Sequence, residues 1–295
     1  MKVPISRRVF KRIVASVSLL VIGAVVWGWV FAWRRLPYYR PTSVVELPVP
    51  LMTDEGYDEV FQTHERPFIV ELPNGPGKLI LYGATHTKNP EDPQLADIES
   101  RWNRLQPTVA LCESRLGILF PGLMTPVKEF SEPGYVHQLA RESGIPTYTW
   151  EPPNEVIMDH LFSLPFSKEQ IALRVKLGPY FSNRRYGRPT SPEAFVADYL
   201  GNEERWPGLE TVLVSIAEIA EAWKRHFPSG PDWRDVSDET DLPGFLKSIS
   251  TNAARDEHFI RVLIELIEQG ERVFAVAGFS HAVKLEPALE GYFQE

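Results

Sequence analysis

The 295-residue chain has one cysteine, Cys112. That excludes an intrachain disulfide framework and any zinc site built from several thiolates. It leaves the redox compartment open. Four familiar signatures are also missing: a P-loop, a Rossmann glycine fingerprint, an HExxH pair and a GxSxG elbow. Their absence argues against a kinase, a nicotinamide dehydrogenase, a zincin and a serine hydrolase of the α/β-hydrolase type. No repeat of solenoid period is present. The chain has no excess of positive charge. Its formal net charge is -8, which disfavours a general nucleic-acid binder. Acidic residues are absent from residues 1–35, which carry seven Lys/Arg. The remainder therefore holds 24 basic and 39 acidic residues, a net of -15. With 43% hydrophobic and 12% aromatic residues, the chain has enough apolar mass for a core, so wholesale disorder is excluded.

What is present begins with a long apolar run. Ile13 to Trp33 is 21 residues without a charge. As a helix it reaches about 30 Å, the hydrocarbon thickness of a bilayer. The apolar core of a signal peptide is shorter, about 7–15 residues. No small-x-small cleavage site closes the run, and Trp27, Trp29 and Trp33 gather at its end as an interfacial aromatic belt would. The reading is an uncleaved signal anchor, with a cleaved signal peptide as the alternative. Lys2, Arg7, Arg8, Lys11 and Arg12 precede the run, and Arg34, Arg35 and Arg40 follow it. This bias favours a cytoplasmic basic tail over 1–12 and a globular part outside the cell membrane, periplasmic or extracellular. Residues 34–66 read as a Pro-rich tether, with prolines at 37, 41, 48 and 50.

From residue 67 to 295 strand and helix signals alternate. Phe68–Leu72 and Lys78–Tyr82 flank a Pro-Asn-Gly-Pro-Gly turn and predict a hairpin. Leu95, Ile98, Trp102 and Leu105 have helical spacing. Thr108–Glu113 and Pro146–Trp150 read as strands, with a helix near Val136–Ser143 between them. Residues from about 154 to 250 read as mostly helical. Their clearest stripe is Leu209, Val212, Leu213, Ile216, Ile219, Ala220 and Trp223. A last helix through Phe259, Val262, Leu263, Leu266 and Ile267 feeds strand Val273–Ala277. The expected fold is an α/β core on a mixed sheet with a largely helical insertion, preceded by one transmembrane helix.

Four strand ends carry polar residues. Strand Leu79–Tyr82 runs into Gly83-Ala84-Thr85-His86, and Val273–Ala277 into Gly278-Phe279-Ser280-His281. Val109–Cys112 ends at Glu113 and Thr147–Trp150 at Glu151. In open α/β sheets ligands bind beyond the carboxyl ends of the strands. Two imidazoles and two carboxylates converging there would form a shell for a divalent metal. The glycines are expected to let each chain turn sharply as it leaves its strand. Singly these signals are weak, since a histidine after a strand is often structural and a lone glutamate also suits a helix N-terminus. Their coincidence points to one site. Arg255 aligns with the buried stripe of the last long helix and needs a partner there, a carboxylate of the site or a substrate oxyanion; snorkelling at the helix start is the plainer reading. Asp256 and His258 are weaker candidates. Cys112 alternates away from Glu113 and is expected to be an inert buried hydrophobe. Arg184–Arg188 reads as a solvated basic loop.

At these residues the chain resembles the TraB/TIKI superfamily, which takes in GumN-like, erythromycin-esterase-like and ChaN-like proteins. The resemblance rests on the hairpin leading to Gly83–His86, on Glu113, Glu151 and Arg255-Asp256, and on Gly278–His281. It covers about residues 67–295. This chain has His258 where family members often carry methionine. The resemblance implies an active site at the two histidines and the acidic residues. It also implies membrane-anchored, metal-dependent proteolysis as in TIKI proteins, ester hydrolysis as in erythromycin esterases, or haem binding as in ChaN-like members.

The leading expectation is a membrane-anchored, extracytoplasmic hydrolase of peptide or amide bonds, dependent on a divalent ion (Zn, Mn or Co). His86 and His281 would hold or orient the ion, Glu113 would be a ligand or the general base, and Glu151 a further ligand or a partner behind the ligands. Arg255 would stabilise an oxyanion or orient a carboxylate. The alternatives are a haem- or metal-binding module with His86 or His281 as axial ligand, a metal-independent esterase, or a catalytically dead scaffold. Expected partners are a lipid bilayer through residues 13–33 and a peptide or small-molecule substrate, with no nucleic acid.

Overall fold

The computed structural model describes residues 32–184, 187–201, 206–236 and 241–293, with positions 14, 16–19, 21–23, 26 and 28 before them. The expected basic tail lies outside the described residues, as does much of the expected span Ile13–Trp33. Among the described residues no helix is long and apolar enough to cross a membrane. In chain order the elements are α1 (Asp54–Val60), β1 (Phe68–Leu72), β2 (Lys78–Ala84), α2 (Pro93–Leu105), β3 (Val109–Cys112), α3 (Pro126–Ser143), β4 (Thr147–Thr149), α4 (Asn154–Ser163), α5 (Lys168–Asn183), α6 (Pro192–Leu200), α7 (Ile216–His226), α8 (Asn252–Glu268), β5 (Arg272–Gly278) and α9 (Phe279–Phe293). The chain divides into two compact units, 1–151 with 260–295, and 152–259.

The first unit is built on a five-stranded sheet in the order β1-β2-β5-β3-β4. The hairpin β1–β2 is antiparallel; β2, β5, β3 and β4 run parallel. A parallel strand covered on both faces reads as an unbroken apolar run. β5 has that composition and is buried from Val273 through Gly278. On one face Ile80, Tyr82, Ala110, Cys112, Phe274 and Val276 form a core with α2 and α3. α2 supplies Leu95, Ile98 and Trp102; Asp92 caps it by accepting from Gln94 N–H, and Pro93 opens its first turn. α9 packs against β1, β2 and β5.

Gly83 and Gly278 do not have the positive φ of a sharp glycine turn. They are needed for close approach. A Cβ on Gly83 would lie 2.7 Å from Ala282 Cβ and from Phe68 O, so α9 can lie directly on β2 only over a bare Cα. Gly278 is treated with the site.

The segment expected to be a tether is laid along the first unit. Trp33 pairs with Leu119, and Tyr38 bridges Thr149 as an added parallel partner of the edge strand β4. Tyr39 N–H donates to Thr149 O, and Thr149 N–H to Pro37 O. Further on, Glu265 of α8 accepts from Thr42 N–H at 2.7 Å, Ser43 N–H at 2.8 Å and the Tyr39 hydroxyl at 3.0 Å. Lys284 is paired with Asp54 of α1. Prolines give such a strap stiffness without needing ladder hydrogen bonds.

The second unit, 152–259, is helical. It has its own core, in which Tyr180, Phe181, Trp223 and Trp233 are buried. The helix expected through Leu209 to Trp223 begins only at Ile216. Ser215 caps it by accepting from Glu218 N–H, and Leu213 has a φ of 54°. The carbonyls of Leu209 and Val212 instead accept from buried Lys176 Nζ, at 3.0 and 2.6 Å. A buried ammonium needs such acceptors, and they hold these residues out of the helix. In the basic loop, Arg184 donates to Val236 O and Arg188 pairs with Asp235; Arg185 and Tyr186 lie outside the described residues.

The strap's hold on Glu265 is testable. These hydrogen bonds pull its pKa from 4.5 to about 2, against burial, which raises it. A depressed carboxylate stabilises the fold fully above its unfolded value, and the contribution fades as pH falls from 4.5 through about 2. Glu265→Gln is expected to cost about 2 kcal/mol in chemical denaturation, from the loss of charge-assisted hydrogen bonds. Limited proteolysis should then cut first within residues 36–52. Unchanged stability and an uncut strap would contradict the anchoring role.

Candidate active site

The sheet topology puts all four expected strand ends on one edge. Ala84 is in register with Gly278, Cys112 with Val276, and Cys112 with Thr149. β5 lies between β2 and β3, so the residues leaving those two strands flank its end.

The carbonyl of Val276 ties the exits together. It accepts from Glu113 N–H at 3.2 Å and from the indole Nε1–H of fully buried Trp150 at 2.9 Å. Trp150 N–H in turn donates to Cys112 O. Gly278 N–H donates to Glu113 Oε2 at 2.7 Å, which aims the carboxylate across the end of β5. The turn before His86 is clamped by Gln94, which accepts from Thr85 N–H and donates to Thr85 O, both at 2.9 Å.

His86 stands between two carboxylates. Its Nε2 is 3.7 Å from Glu113 Oε2, and its Nδ1 is 3.3 Å from Glu132 Oε2. Glu132 is fully buried, and its other oxygen accepts from Thr87 N–H at 2.6 Å. A buried charge is tolerated only when paired and hydrogen-bonded. Thr87 N–H and an Nδ1–H tautomer of His86 supply that pairing. The tautomer leaves Nε2 with a lone pair facing Glu113. The 3.7 Å separation is too long for a direct hydrogen bond.

Glu132 was not singled out in the sequence. α3 breaks at Phe130 and Ser131, where Ser131 has a φ of 55°, and its second segment starts at Glu132-Pro133. The signal available was a proline directly after a glutamate inside a helical stretch: Pro favours the first turn, where carboxylates also sit well. Beyond the break Glu132 is fully buried.

The remaining expected residues fall as follows. His281 lies in the first turn of α9, 4% exposed, with its ring edge-on to Trp150 at 5.1 Å. Glu151 follows β4, its N–H donating to Thr149 Oγ1. Among the described residues no three His, Cys, Asp or Glu side chains form a group that could hold a metal ion. The structure brings His86 and Glu113 together and adds Glu132. Arg255, Asp256 and His258 belong to the second unit. There Arg255 donates to Asn252 Oδ1 at 2.9 Å, and Asp256 and His258 are buried. Cys112 is fully buried, its Sγ donating to Pro133 O, and burial raises its pKa strongly. It is unsuited to be a nucleophile. The second unit also encloses a cavity of about 430 Å³ lined by Met158, Arg174, Phe195, Tyr199 and Trp206, which no sequence period announces.

The two close-approach glycines are expected to fail differently. A Cβ on Gly278 would lie 3.2 Å from His86 Nε2. Gly278→Ala should keep the melting temperature and shift the His86 ring resonances in NMR spectra. Gly83→Ala meets backbone and should cost about 1–3 kcal/mol through overpacking. A large stability loss in Gly278→Ala, with His86 resonances unmoved, would contradict this placement. No protein-family model matches the chain, and neither a curated protein nor a solved structure matches it.

Proposed function

We propose that the chain is a membrane-anchored, extracytoplasmic hydrolase of amide, peptide or ester bonds. His86 is its general base and Glu132 the group that sets the tautomer of His86. The observation that carries this reading is the buried Glu132 carboxylate at Nδ1, with Nε2 on the side of Glu113. A carboxylate behind a histidine orients the ring and stabilises the imidazolium formed when the base takes a proton.

In the proposed step a water sits beside the pair, off the line that joins His86 Nε2 and Glu113 Oε2 and within hydrogen-bond reach of both. The water oxygen attacks the substrate carbonyl carbon while its proton passes to Nε2. Glu132 and Glu113 stabilise the resulting imidazolium from both sides. The same proton then goes to the leaving nitrogen or oxygen as the tetrahedral intermediate collapses. His281 and Trp150 form the buried wall behind this edge. No role is derived for Arg255. The TraB/TIKI resemblance and the strand-end location support the same placement.

A catalytic divalent ion is usually held by three protein ligands. Among the described residues His86 Nε2 and Glu113 Oε2 are the pair brought together here, and the proposed step uses them without routing through an ion. A second reading keeps the metal: a histidine whose Nδ1–H is held by a carboxylate is the usual form of a metal-bound imidazole. In that reading the His86–Glu113 pair is part of a ligand shell, and the ion supplies an activated water.

The test uses the full chain in detergent micelles against chromogenic esters and fluorogenic peptide amides. His86→Ala should abolish turnover. Glu132→Gln should lower kcat/KM by about 100-fold with little change in KM. Both variants need wild-type circular dichroism. Activity that survives exhaustive chelation supports the proposed step. Activity lost on chelation and restored by Zn, Mn or Co replaces it with the second reading. No turnover above the His86→Ala background on any substrate overturns the hydrolase.

A further inference from the structure

Three of the exposed large apolar side chains among the described residues sit in one loop, Ser114 to Thr125, between β3 and α3. Ile118 is 65% exposed, Phe120 36% and Leu123 78%, while Leu119 between the first two is fully buried. This loop is ordered by its own bonds. Leu123 N–H and Met124 N–H both donate to Phe120 O, and Gly122 takes a φ of 82° at the tip. The loop therefore holds its apolar side chains outward in a fixed turn. Leaving them in water is unfavourable, and such patches mark contact surfaces.

The loop's neighbour is the end of the apolar N-terminal run. Leu119 O accepts from Trp33 N–H at 2.8 Å, and Phe120 Cε1 would be 3.5 Å from a Cβ on Gly28. The described residues of that run include further exposed apolar side chains, among them Leu19 at 70%. The loop tip is thus continuous with the segment proposed to span the bilayer. Around Trp33 the charge is basic. Arg34 and Arg35 follow it directly and are exposed, and the Arg141 guanidinium lies 5.9 Å from its ring centroid. These arginines border a cavity of about 480 Å³ beneath Leu36 and His137. Glu142 lies beside Arg141 on the other flank of Trp33. An apolar tip with arginines behind it fits the bilayer interface, with acyl chains at the tip and anionic headgroups at the guanidinium groups.

We propose that the Gly117–Met124 loop is a second membrane contact, inserting Ile118, Phe120 and Leu123 into the same leaflet that the N-terminal segment leaves, with Arg34, Arg35 and Arg141 on anionic headgroups. The inference rests on the anchor reading of residues 13–33. Together with the strap it holds the first unit against the bilayer rather than letting it hang at a distance.

The test reconstitutes the full chain, in a Cys112→Ala background, into phosphatidylcholine vesicles with a minority of phosphatidylglycerol. An environment-sensitive fluorophore is placed at Leu123→Cys or at Leu19→Cys. Nitroxide lipids quench either near the headgroup or near the acyl-chain ends. At Leu123→Cys, blue-shifted emission and quenching by the headgroup-proximal nitroxide are expected, and both should weaken without phosphatidylglycerol. At Leu19→Cys, quenching by the deep nitroxide is expected. Deep quenching at Leu19→Cys with water-like emission at Leu123→Cys overturns the second contact and leaves the anchor standing. Absence of deep quenching at Leu19→Cys overturns the anchor and the contact with it. Disulfide-linked dimers of Leu123→Cys, with no lipid quenching, would assign the loop to a second copy of this chain and overturn the lipid assignment.

Discussion

Val276 has one carbonyl and two donors on it, Glu113 N–H and Trp150 Nε1–H. Because β5 is the strand between β2 and β3, that carbonyl lies where the chain exits of β3 and β4 can both reach it. Two residues later Gly278 N–H aims the Glu113 side chain, and the missing Cβ of Gly278 leaves space for the His86 ring. Each catalytic candidate is thus referred to one strand end. Parallel pairing alone would bring the strand ends to one edge. The shared acceptor and the bare Cα set the separation of His86 and Glu113 at 3.7 Å.

The proposed chemistry depends on a costly group, the buried carboxylate of Glu132. An ionised carboxylate without partners would cost several kcal/mol in such a place. Its two oxygens are met by Thr87 N–H and His86 Nδ1, both in the turn leaving β2. Packing therefore constrains electrostatics: the break in α3 at Ser131 delivers Glu132 to Nδ1 of His86. A residue with positive φ just before a functional side chain is where local strain tends to collect.

Much of this was legible from residue patterns. Short β-prone runs mark the five strands, and His86, Glu113, Glu151 and His281 follow strand ends on one side of the sheet. What the patterns missed has physical causes. Glu132 gives no periodic signal because its role comes from a helix break and a long-range pairing. The stripe from Leu209 to Trp223 has helical spacing, yet Lys176 takes the carbonyls that its first turns would need. The prolines at 37, 41, 48 and 50 mark residues 34–66 as a tether and do not announce that it is laid along the first unit. Their lack of N–H donors does not prevent the intervening residues from pairing with Thr149 and Glu265. The glycines of both GxxH turns were readable as special, and the reason is close packing rather than backbone reversal.

The His86–Glu132 pair is open to direct observation. In histidine labelled with nitrogen-15, ring shifts distinguish the two neutral tautomers, and His86→Ala assigns the signal. At a pH where His86 is neutral, Nδ1 should be protonated and Nε2 bare, and Glu132→Gln should abolish that preference. A neutral His86 protonated at Nε2, unchanged by Glu132→Gln, would contradict the pairing on which the site is built.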